Sequence, residues 1–172
     1  MLENQIMTTR IREYSAQDAE VLNRTVLQAF RQFSSRYNDW DSFCKRIGSM
    51  SSLAAESEII VAETYNEFSG AVAYYAPGKD TTAYFPREWA SIRLLVVNPA
   101  SRGEGVGRAL MNETINRANR DSAQAMGLHT SEIMVVALSM YLRMGFKKIK
   151  DIPEIHGVPY AIYKLPLRET SV

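Results

Sequence analysis

The stretch Arg102-Gly103-Glu104-Gly105-Val106-Gly107-Arg108 has the residue types and spacing to hold an anion. It follows the apolar run Ile92 to Val97 and the break Asn98-Pro99, and it leads into a long helical pattern. A strand that turns through glycines into a helix leaves backbone N–H groups without intrahelical partners, at the positive end of the helix dipole. Phosphate binds in such places. Glycine at 103, 105 and 107 permits positive φ and close approach to the amides, while Arg102 and Arg108 add charge on either side. A bare G-x-G-x-G also suits an ordinary strand-to-helix turn. The dinucleotide fingerprint does not fit, because Arg108 and Leu110 stand where its last small residue belongs, and no Gly-Lys-Ser/Thr triplet supplies a P-loop. The pattern that fits is Arg-x-x-Gly-x-Gly, at Arg102, Gly105 and Gly107.

With Leu95-Val96-Val97 before the loop and Tyr141-Leu142-Arg143-Met144-Gly145-Phe146 further down the chain, this pattern resembles the GNAT family of acyl-CoA-dependent N-acetyltransferases. The resemblance implies acetyl-CoA as co-substrate and no metal. It places the pyrophosphate on Arg102, Gly103, Glu104, Gly105, Val106, Gly107 and Arg108, and the pantetheine arm along the backbone of Leu95, Val96 and Val97. Tyr141 matches the family's tyrosine before Gly-Phe, the general acid for the departing thiolate. A phenol with a pKa near 10 stays protonated at neutral pH and can donate to a thiolate of similar basicity. Glu104 adds negative charge to the loop, which solvent screens if the side chain points outward.

An alkyl amine is almost wholly protonated at pH 7, so acyl transfer to it also needs a proton acceptor. The carboxylate often found early on the central strand in this family is missing, since Ser91-Ile92 occupy that region. His129 lies on a short strand expected to flank the split and is the candidate base, with a structural role as its alternative. Glu88 and Glu132 come after it. Met134 replaces an asparagine common in the family, while Ala137 is kept. Two functions follow: acetyl transfer to a primary amine of a small acceptor, or non-catalytic sensing of acyl-CoA by the same fold. Tyr141 favours the enzyme; the missing carboxylate and Met134 favour the sensor. The acceptor is expected between the first two helices and the closing strands, walled by Tyr37, Trp40, Phe43, Tyr84 and Trp89. No acidic cluster marks a surface for basic peptides.

The elements that must position these residues belong to a chain of 172 residues, one domain's worth. The domain is expected to span 1–172, with flexible tails at 1–7 and 168–172. A net charge of +1 gives no global attraction to nucleic acid or an anionic membrane. Cys44 is the only cysteine, the first residues lack a secretory pattern and no apolar run is long enough for a membrane span, so a cytoplasmic location is expected. A homodimer is allowed.

Periodicity predicts a strand at 10–14, a helix from Ala16 to about Ser34 capped by Ser15 with Asp18 in its first turn, and a helix from about Asp39 to Gly48. Strands at 58–64 and 71–76 flank a turn at 66–70, and 79–89 is a loop lying over something. The central strand at 92–97 feeds a helix from Gly105 to about Met126, stopped by Gly127. A short strand at 128–130, a helix from about Ser131 to Met144 and strands at 146–152 and 160–165 complete the chain. Periodicity alone gives α/β or α+β. The resemblance implies a mixed, mostly antiparallel sheet of about seven strands flanked by about four helices, splayed open beside the central strand.

Overall fold

In the computed structural model, which describes residues 8–168, strand-period and helix-period segments assemble around one seven-stranded sheet. The expected tails at 1–7 and 168–172 lie, apart from residue 168, outside the described residues. The strands are β1 (Thr9–Glu13), β2 (Glu58–Thr64), β3 (Glu67–Tyr75), β4 (Trp89–Val97), β5 (Ala125–Thr130), β6 (Lys147–Ile155) and β7 (Val158–Pro166). The α-helices are α1 (Ala19–Phe30), α2 (Trp40–Ile47), α3 (Val106–Arg120) and α4 (Val135–Arg143). The sheet order is β1-β2-β3-β4-β5-β7-β6, antiparallel throughout except for β4 and β5.

That parallel pair is the feature that makes a site. It holds only at Trp89↔Ala125, Ala90↔Met126 and Ser91↔Gly127. Past Ser91 the two strands diverge, β4 staying with β3 and β5 with β7. A bulge accompanies the divergence: between the pairs Ala71↔Val96 and Ala73↔Arg93, the single residue Val72 faces both Leu94 and Leu95. Leu94 sits at φ +53. A leucine there costs about 1–3 kcal/mol, and bulges of this kind re-aim a strand beside a functional site.

Both faces of the sheet are covered. On one, α3 and α4 bury Val106, Leu110, Met111 and Tyr141 against Ile60, Ala62, Tyr74 and Met126. On the other, α1 and α2 bury Leu22, Val26, Phe43 and Ile47 against Ile59, Val61, Ala73 and Tyr75. The alternation within β2, Ile60 and Ala62 one way and Ile59 and Val61 the other, is the period-2 pattern of a strand buried on both sides.

Several boundaries differ from expectation for local reasons. Gly127 does not stop α3; it lies inside β5, where a Cβ would meet the Phe85 ring at 2.5 Å. The residue that turns the chain after α3 is Ser122, at φ +59. The β2–β3 turn is the tight pair Tyr65-Asn66, both at positive φ as a two-residue type I′ hairpin requires, so Gly70 falls within β3. The first long helix is interrupted: 3-10 turns at Ala16–Asp18 and Arg31–Arg36 flank α1. The polar 49–57 stretch contains a further 3-10 turn, Met50–Ala55, with Met50 buried. α4 starts at Val135, later than predicted.

Candidate active site

Where β4 and β5 part, a cavity of about 260 Å³ passes between the two core layers. Ile92, Leu95, Leu128, Ala137 and Tyr141 belong to the α3–α4 layer; Phe43, Met50, Leu94, Met134 and Tyr160 belong to the α1–α2 layer, and all of them line it. The opening therefore lies between the two layers and is walled by both. Val96 and Val97 stand at the end of β4, Val96 buried among the α1–α2 layer and Val97 against the other.

None of Arg102 to Arg108 lines this cavity; the glycine loop follows the end of β4 and leads into α3. Gly103 and Gly105 have φ +79 and +80, a region open to glycine at little cost. Gly105 is the N-cap of α3 and provides no side-chain cap, and the first intrahelical bond runs from the Ala109 N–H to the Gly105 carbonyl at 3.0 Å. The N–H groups of Val106, Gly107 and Arg108 thus have no helical acceptor, and no acidic residue occupies the first turn. Gly107 has no positive φ, and the fold leaves ordinary room for a Cβ at its position. A Cβ there would lie 3.7 Å from Val97 Cγ2 and 3.8 Å from Met140 Sδ, inside the groove between β4, α3 and α4. Arg108 is exposed and Glu104 half-buried. Arg102 reaches across the molecule instead, donating to the Ala29 carbonyl at the end of α1 at 3.3 Å.

Tyr141 is placed by α4, with its ring edge-on to Phe146 at 5.8 Å. It is 5% exposed, makes no hydrogen bond among the described residues and lines the cavity; burial pushes its phenol pKa up. His129, on β5, lies on the opposite layer between Tyr84 and Tyr160, with ring centroids at 5.5 and 5.9 Å. Its Nδ1 is buried without a partner. Burial above all, helped by the charge of Arg93, lowers its pKa to about 4, so the imidazole is neutral at physiological pH. Glu88 and Glu132 are exposed and line no part of the cavity. Of the expected aromatic walls, Phe43 and Tyr84 line it; Tyr37 stacks behind Phe43 at 4.0 Å, and Trp40 and Trp89 stand further back. Met134 lines the cavity and Thr130 donates to its sulfur at 3.7 Å.

A carboxylate does reach the start of β4, from a source the sequence did not reveal. Asp80, in the loop between β3 and β4, accepts from Ser91 Oγ at 2.7 Å, from Arg93 Nη2 at 2.7 Å, and from the Thr82 hydroxyl and N–H at 2.7 and 2.9 Å. Burial would raise this carboxyl, but the hydrogen bonds from Thr82 and Ser91 and the charge of Arg93 outweigh it and hold it below the ordinary range. With Oδ1 accepting three of these bonds and Oδ2 one, it acts as an anchor for Arg93, which also lies over the Tyr75 ring at 4.7 Å. Phe85, from the same loop, covers Gly127.

The sequence from residue 20 to residue 146 matches the acetyltransferase (GNAT) family. The chain belongs to that family. A GNAT fold is also what the solved structures show. Ard1 from Thermoplasma volcanium superimposes with a TM-score of 0.73 at 19% identity, over 94% of this chain and 99% of that one. A GNAT acetyltransferase from Brucella melitensis in complex with acetyl-CoA gives 0.64 at 22%, over 96% and 92%. A GCN5-related N-acetyltransferase from Kribbella flavida gives 0.66 at 23%, over 92% and 98%. No curated protein sequence matches this GNAT chain. Among its described residues no helix is long and apolar enough to cross a membrane.

Proposed function

We propose that this GNAT protein is an acetyl-CoA-dependent N-acetyltransferase that acetylates a primary amine of a small molecule by direct attack on the thioester. The observation that carries the reading is the cavity through the β4–β5 split, with Tyr141 on one layer and His129 on the other. The residues suit acetyl-CoA in three respects. Unbonded N–H groups open α3, Gly107 leaves its groove free of side chain, and β4 has no β5 partner beyond Ser91. The diphosphate would lie on Arg102 to Arg108 and the pantetheine arm along Leu95, Val96 and Val97, as in the resemblance noted from sequence. The Brucella melitensis relative's complex with acetyl-CoA supports the same donor.

When bound, acetyl-CoA supplies an acetyl group already activated as a thioester. The amine nitrogen forms the new N–C bond as the C–S bond breaks. Buried Tyr141 stays protonated and donates its proton toward the departing sulfur. His129, unprotonated at neutral pH, accepts from the amine. The half-buried Cys44, the lone thiol of the chain, supports a cytoplasmic setting.

Free thiol release from acetyl-CoA over a panel of small primary amines tests this. Amine-dependent release is expected, and Tyr141→Phe should lower kcat by about 10²-fold or more while acetyl-CoA affinity stays within about twofold. Tight acetyl-CoA binding with no release across the panel would instead mark a sensor. Equal loss of binding and turnover in Tyr141→Phe would mark Tyr141 as structural.

A further inference from the structure

On the α1–α2 side the cavity wall carries two arginines, Arg46 and Arg93, and no Asp or Glu among the described residues. Asp80 stays behind the wall, its oxygens engaged by Thr82, Ser91 and Arg93. Arg93 gives Asp80 only Nη2, leaving Nε and Nη1 without a partner among the described residues. Its side chain is 22% exposed and is held in one orientation by Asp80 below and the Tyr75 ring beside it. Arg46, exposed at the rim, forms no ion pair among the described residues. Positive charge is therefore in excess around the acceptor end, beside a neutral His129 whose Nδ1 is unpaired. An acceptor whose only charge is an ammonium would meet repulsion there, and polyamines or lysine-rich tails more so.

We infer that the acceptor is an amine that also carries a carboxylate, an amino acid with an apolar or aromatic side group, its carboxylate paired with Arg93 and steered by Arg46. A pre-held planar guanidinium with two free donor positions suits a carboxylate. Phe43, Tyr84 and Tyr160 supply the apolar wall for the side group. The inference rests on the N-acetyltransferase reading above and adds a second consequence. A carboxylate on Arg93 offsets the charge that depresses His129, so the correct acceptor makes its own base stronger.

Matched acceptors test it: phenylalanine, phenylalaninamide and 2-phenylethylamine, with the leucine, methionine and tyrosine sets alongside, each with saturating acetyl-CoA and the full chain. At least one set should favour its carboxylate member by about tenfold or more in kcat/KM, the scale of a charged hydrogen bond. Arg93→Gln and, at an exposed position that leaves the fold untouched, Arg46→Gln should pull that ratio toward one. Calorimetry with N-acetylphenylalanine and N-acetylphenylalaninamide reads the same preference without turnover, the acid binding tighter. Preference for the amide or the bare amine in every set, or no difference in calorimetry, overturns the inference. So does an arginine variant that lowers all three members equally. Thiol release from none of the amines would sink the enzyme reading alone, because calorimetry still decides for or against the carboxylate.

Discussion

A buried imidazole nitrogen rarely lacks a hydrogen-bond partner, and Nδ1 of the half-buried His129 lacks one at the point where the sheet opens. It titrates near 6.5 in an unfolded chain but near 4 here, because burial and the charge of Arg93 outweigh the opposing pull of Asp80. The folded state thus resists a proton that the unfolded state accepts. Stability is complete above about pH 6.5 and falls as the pH drops toward 4, by up to about 3 kcal/mol from this residue. Denaturant titrations at pH 7 and pH 4.5 should show the wild type losing about 2 kcal/mol more than His129→Asn. Identical losses would show that the folded imidazole is not held neutral. The carboxylates of Asp18, Glu63, Asp80 and Asp121 are also held low, so their contributions are present above the usual carboxylate range and lost in more acid solution, in both proteins alike. At this scale Tyr141 and His129 were legible as candidates, and both line the cavity, whereas the candidate glycines do not. Asp80 and Arg93 were not legible: one lies in an aperiodic loop, the other in an apolar strand, and only the folded chain joins them at 2.7 Å.

Among the elements, the junction of β4 with α3 is where the proposed donor's diphosphate would lie. Gly103 and Gly105 serve the turn through their positive φ, but Gly107 has no such need, and a methyl group there would touch Val97 and Met140 at ordinary contact distance. Gly107→Ala separates fold from ligand. In a helix the change should leave the melting temperature unchanged or raise it, since alanine is favoured over glycine by about 0.5–1 kcal/mol. Acetyl-CoA should nonetheless bind about tenfold or more weakly, because the methyl enters the groove. Equal affinity would remove Gly107 from the donor site. The order of strands and helices was readable from periods of 2 and 3.6, and β2 matched at both ends. Gly127 misled because a glycine after a helical pattern looks like a cap, whereas this one makes room for Phe85 from a distant loop. The Leu94 bulge has no sequence signature, since leucine is ordinary in a strand and only its φ of +53 is not.

At the scale of the whole molecule, two core layers share one sheet, with the opening between them at the only parallel pairing among the described residues. In the proposed reaction donor and acceptor would enter from opposite faces and meet between the two core layers, where charge interactions are stronger than in water. This arrangement makes the account rest on one placement: the thioester in the split, within reach of Tyr141. A crystal structure of the chain with CoA measures it directly. The diphosphate is expected on the N–H groups between Gly103 and Arg108, the pantetheine arm beside Leu95 to Val97 and the sulfur within hydrogen-bonding distance of the Tyr141 hydroxyl. A diphosphate bound elsewhere, or a sulfur outside the split and away from that hydroxyl, would contradict it.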